Sequence, residues 1–123
     1  MNPRRVNSRL TRFRIATVFG IVAALINTGA AAADSKAKLS ELARQKHCDE
    51  CHAVDAQRIG PPFLAVAVRH RAEGAAAIEP LAQKIIHGGA GNWGSIPMIP
   101  NERVSLEEAR ALVQWILSLA PPG

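Results

Sequence analysis

The chain has 123 residues and a formal net charge of +5. That excess belongs to Arg4, Arg5, Arg9, Arg12 and Arg14; beyond them the chain carries ten basic and ten acidic side chains. The high isoelectric point is therefore no warrant for nucleic-acid binding, and no basic patch interleaved with aromatics supports that reading.

An uncharged apolar run from Ile15 to Ile26 follows the arginines, and a small-residue stretch ends at Ala31-Ala32-Ala33. This basic, apolar, A-x-A order predicts a secretory signal peptide over residues 1–33, cleaved between Ala33 and Asp34. An uncleaved anchor is the alternative, since the apolar run with its tail is just long enough to span a bilayer. Asn27, Thr28 and Gly29 interrupt it, and the alanines suit a peptidase. The expectation is Sec-type export to the periplasm and no membrane association after cleavage. Residues 34–123 then form one small domain, of a size that often needs a staple.

The first helix of that domain is expected from about Lys36 into the following motif. Leu39, Leu42 and Ala43 have the spacing of one buried helical face. Next comes Cys48-Asp49-Glu50-Cys51-His52, two thiols three positions apart followed at once by an imidazole. This is the spacing for covalent haem attachment: two sulfurs reach one porphyrin edge and the imidazole faces the iron. A zinc site commonly draws four ligands from two separate pairs, and only two cysteines are present. A redox dithiol belongs in a βαβ pattern, and no strand pattern surrounds this one. In an oxidising compartment free thiols would pair, whereas thioether bonds consume them. The cofactor expected is one covalently bound haem c with its iron.

Gly60-Pro61-Pro62 forces an extended turn. A short helix from Phe63 to about His70 comes next. Another begins near Ala76 or at Pro80 and ends at His87, before the helix stop Gly88-Gly89. Residues 88–101 lack periodicity, and irregular loops of this length are usually functional or disordered. They hold Met98, the only methionine besides Met1. No Walker-type lysine–serine or lysine–threonine pair accompanies the glycines, so a phosphate cradle is rejected. The last helix opens with a capping box, Ser105 and Glu108, and keeps an apolar stripe through Leu106, Ala109, Leu112, Val113, Ile116 and Leu119. Trp115 reads as a core aromatic.

With Cys48-x-x-Cys51-His52, Gly60-Pro61, the run Trp93-Gly94-Ser95-Ile96-Pro97-Met98-Ile99-Pro100-Asn101 and the C-terminal helix in place, the chain resembles the class I cytochromes c. The likeness is to their short bacterial cytochrome c-551 (cytochrome c8) branch and covers nearly all of Leu39 to Leu119. The resemblance implies an all-α fold, three main helices plus short helical turns wrapped round one haem. It implies Cys48 and Cys51 as the thioether sites and His52 and Met98 as axial ligands of the iron. It further implies that the Pro61 carbonyl holds the imidazole, that Trp93 bonds a propionate, that Lys84 lies near a propionate, and that Asn101 lies close to the methionine. Asp49-Glu50 and Ser95 depart from residues common in the family. A weak band at the red end of the oxidised spectrum is the family's usual sign of methionine ligation. Among the other histidines, His47 should face outward and His70 should be a solvated surface residue; His87, beside the loop, is the rival sixth ligand.

Two strong protein ligands would leave the iron no vacant position, which favours outer-sphere electron transfer over catalysis at the haem. No GxSxG or HExxH accompanies it. The expected function is that of a periplasmic electron carrier, not an enzyme, working as a monomer in transient complexes with redox protein partners. A haem subunit of a periplasmic dehydrogenase or oxidase complex is the alternative. Ile59, Ile96 and Ile99, rimmed by Asp49 and Glu50, are the expected docking patch.

Overall fold

Ser105 begins the last helix as its side chain demands. Its hydroxyl accepts from the Glu108 backbone N–H at 3.1 Å, and the Glu108 carboxylate accepts from the Ser105 N–H at 2.9 Å. Both halves of the capping box form, satisfying two amide donors that a helix start leaves without partners. The computed structural model describes residues 27–121. Its helices are α1 (Asn27–Gln45), α2 (Phe63–Arg69), α3 (Ile78–His87) and α4 (Leu106–Leu117), with 3-10 turns at Cys48–Glu50 and Gly74–Ala77. Among the described residues there is no β-strand; the only pairing of that kind is an isolated antiparallel bridge, Gly89 with Met98. Residues up to Ser35 and residues from Lys36 onward form separate compact units. The second carries the CxxCH motif and the three later helices.

The expected signal peptide lies largely outside the described residues. Within them, α1 starts at Asn27 rather than near Lys36, because Ala30 to Ala33 are strong helix formers and nothing there stops the helix. No helix among the described residues is long and apolar enough to cross a membrane. At its other end α1 stops at Gln45, short of the motif. His47 adopts φ 62°, a left-handed conformation that L residues rarely take, and the chain re-enters as the 3-10 turn carrying Cys48.

The apolar stripe of α4 buries Ala109, Leu112, Val113, Trp115 and Ile116. Against it pack Ala82 of α3, Ala43 of α1, and Phe63 and Ala67 of α2. Each fully buried leucine- or valine-sized chain contributes about 1.5–3 kcal/mol. Alanines at the contact points let the helices approach closely, and Phe63 and Trp115 fill the space between α2 and α4. Leu119 falls just beyond the end of α4 but still packs against the core.

Candidate haem site

Cys48 and Cys51 occupy one tight turn, closed by the Cys51 and His52 amides donating to the Cys48 carbonyl at 3.3 and 2.9 Å. No disulfide joins them, and both are half-buried. Before a thioether forms, burial holds the Cys48 thiol above its ordinary value, and the neighbouring Asp49 carboxylate adds to the shift. His52 leaves this turn with its ring fixed from two sides. Its Nδ1–H donates to the Pro61 carbonyl at 2.8 Å, and its face stacks on Phe63 with centroids 5.2 Å apart. Phe63 in turn meets Trp115 edge-on at 5.5 Å. A relay of three rings therefore ties His52 to the core of α4.

The turn from Cys51 to Pro61 is pinned by Gly60 N–H donating to the Cys51 carbonyl at 2.7 Å, and Phe63 N–H to that of Ala53 at 2.9 Å. Gly60 must lack a side chain. A Cβ there would lie 2.8 Å from Nδ1 and 2.9 Å from Nε2 of His52. A second glycine plays the matching part for Met98. Gly88 has φ 67°, and a Cβ on it would meet the Met98 carbonyl and come within 2.8 Å of the Pro100 nitrogen. Gly89 and Met98 then exchange backbone bonds of 2.8 and 3.0 Å, so the base of the irregular loop is closed by Met98 itself, whose side chain is half-buried.

Beyond Met98 the loop is fastened to the end of α1. Asn101 donates its side-chain amide to the Lys46 carbonyl at 2.9 Å and accepts from the Arg103 N–H at 3.1 Å. Lys46 Nζ reaches the Arg103 carbonyl at 2.6 Å and the Glu108 carboxylate at 2.9 Å. Glu108 is consequently held below the usual carboxylate range, first by the Ser105 amide and then by Lys46. The Asn101 amide thus serves Lys46. The Lys84 ammonium lies over Gly89, and Trp93 is half exposed beneath the Arg69 guanidinium. His47 and His87 are exposed. His70 differs from its expected solvated state: its side chain is 19% exposed and bonds to Glu73 at 2.9 Å.

These residues suit a flat apolar group with a metal at its centre. The His52 proton sits on Nδ1, leaving the Nε2 lone pair for a metal. Large apolar chains stay exposed around the motif and the loop, with Ile59, Ile96 and Ile99 at 61%, 64% and 73%.

The general cytochrome c family pattern matches residues 37–120. The chain belongs to the cytochrome c family. It therefore carries covalently bound haem c with its iron, and the family's role is electron transfer. Cytochrome c-551 of Allochromatium vinosum is 45% identical over 78 residues, 63% of this chain and 82% of that one. Cytochrome c-551 of Azotobacter vinelandii is 45% identical over 78 residues, 63% and 93%. The crystal structure of Nitrosomonas europaea cytochrome c552 superposes with a TM-score of 0.62 at 41% identity, covering 65% of this chain and 98% of that one. The fold is accordingly the helical one of the class I cytochromes c.

Phe63, Gly60, Gly88 and Lys46 were not singled out from sequence as parts of the site. Phe63 alone left a usable signal: it is the sole phenylalanine of residues 34–123, placed directly after Gly-Pro-Pro.

Proposed function

We propose that this cytochrome is an exported, periplasmic one-electron carrier, its haem held by Cys48 and Cys51 and its iron ligated by His52 and Met98. When bound, the haem supplies a metal centre that takes up and releases one electron with its ligation unchanged. The chain's own part is to hold that ligation still. The Pro61 carbonyl fixes the His52 tautomer and ring plane and raises the basicity of the imidazole. Phe63 and Trp115 stop the ring from swinging. Met98 offers a soft thioether, which favours the ferrous state and raises the potential. Exposed Ile59, Ile96 and Ile99 give redox protein partners an apolar surface, rimmed by Asp49 and Glu50, of the mixed kind that suits brief complexes. Arg58 secures that rim by donating to the Asp49 carbonyl at 2.5 Å. Signal cleavage after Ala33 and the absence of a separate catalytic site complete the reading.

The observation that carries it is the His52–Pro61 hydrogen bond, which leaves one imidazole nitrogen free beside two half-buried thiols. Axial ligand choice moves haem potentials over about 0.8 V, so Met98→His should lower the midpoint potential sharply. A redox titration in which the variant and the parent coincide would remove Met98 from the iron.

A further inference from the structure

The loop before Met98 is joined to a helix by one residue outside the ligand set. Arg69, the last residue of α2, donates from Nη1 to the Asn92 carbonyl at 2.8 Å. Its guanidinium carbon also lies 4.8 Å from the centroid of the Trp93 ring. Among the described residues no other hydrogen bond links 90–97 to the rest of the chain; the bond from Gly91 N–H to the Gly94 carbonyl is internal. Gly89 and Met98 close the base of the loop, and Asn101 fastens the segment beyond Met98. Within the polypeptide, the stretch between is fastened by Arg69.

Arginine suits this task chemically. Its planar, permanently charged fork can donate to a carbonyl while its face lies on an indole. Lysine offers a point charge and cannot do both with the same geometry. The contact sits at the rim of an open apolar cleft of about 480 Å³ that Trp93 lines together with Pro62, Leu64, Ala65 and Val68.

We propose that Arg69 is the positioning residue of the methionine loop, clamping Asn92 and Trp93 against α2 so that Met98 stays presented to the iron. This rests on Met98 being the sixth ligand. Removing the clamp raises the open fraction of the loop about fivefold or more, the scale of the exposed cation–π contact alone. A foreign ligand that must displace Met98 gains affinity by the same factor, since its apparent affinity depends on the fraction of protein open to it.

The test uses the holoprotein and the variants Arg69→Leu, Arg69→Lys and Arg110→Leu. The last removes an exposed two-bond pair with Glu79 that joins α3 to α4 instead. Two quantities are read: hydrogen exchange of the Gly91 and Met98 backbone amides, which donate to the Gly94 and Gly89 carbonyls, and binding of imidazole to the oxidised protein followed by absorbance. Arg69→Leu should speed exchange and tighten imidazole binding about fivefold or more; Arg69→Lys should recover part of both, and Arg110→Leu should change neither. Unaltered exchange in Arg69→Leu, unaltered imidazole affinity, or equal changes in Arg110→Leu would each overturn the proposal. An oxidised parent without the sulfur-ligation band overturns the Met98 reading instead, and the exchange rates still decide the clamp.

Discussion

The two sides of the haem site are built on opposite principles. On the histidine side, both thiols and the imidazole lie within five residues, and His52 is braced by aromatic packing that continues through Phe63 to Trp115. On the methionine side, Met98 rides on an irregular loop whose shape comes from glycines and from hydrogen bonds at its edges: Gly88 and Gly89 at the base, Arg69 before Met98, Lys46 and Asn101 after it. Hydrophobic packing is costly to disturb because the whole core responds. A hydrogen-bonded loop opens locally at far smaller cost. The contrast places rigidity at the CxxCH attachment and adjustability at Met98, the proposed sixth ligand.

Breaking the packed side should have the largest effect on stability. Phe63 is 8% exposed and touches both His52 and Trp115. Phe63→Ala should cost about 3–5 kcal/mol in denaturant unfolding. A loss below about 1 kcal/mol, far under the range for such truncations, would show that the ring relay contributes little. On the loop side, Gly88→Ala should cost about 1–3 kcal/mol through overpacking against the backbone at Met98 and Pro100. It should also weaken the sulfur-ligation band of the oxidised protein, which Phe63→Ala should affect less. Finding the band more sensitive to Phe63 than to Gly88 would reverse the comparison.

Acid should act on the fastenings. Glu108, bonded to the Ser105 amide and to Lys46, and Glu79, bonded to Arg110, are both held below the ordinary carboxylate value of 4.5. A carboxyl whose folded pKa is depressed adds stability that is present above the unfolded value and lost as pH falls through the folded one. Unfolding midpoints should therefore fall as pH drops below 4.5. Glu108→Gln should flatten part of that dependence, and identical pH profiles for parent and variant would exclude Glu108 from it. The smallest effect belongs to His47, whose left-handed backbone costs an L residue about 1–2 kcal/mol, partly offset in glycine by chain entropy. His47→Gly should be neutral or stabilise by up to about 1 kcal/mol, because the exposed pair it gives up with Glu50 contributes little. A clear loss in thermal melting would mean the side chain matters more than its backbone.

Local chemistry was readable along the chain. The CxxCH spacing, the Gly-Pro-Pro break and the Ser105–Glu108 box each involve residues within a few positions, so spacing alone reports their geometry. The same logic misplaced the start of α1, since an alanine run serves a peptidase and a helix equally well. It also carried that helix into the motif, because nothing at His47 announces a left-handed residue where glycine would be the ordinary choice.

The sequence by itself determined the cofactor, the helical class and the four residues proposed to hold the haem, because covalent spacing and helix periodicity are written in neighbouring positions. Only the tertiary structure decided how those residues are held. Lys46 meets Arg103 across 57 positions and Arg69 meets Asn92 across 23, and the rings of His52, Phe63 and Trp115 come together only when α2 packs on α4. Contacts of that kind depend on where the chain returns in space, which no local pattern of residue types encodes.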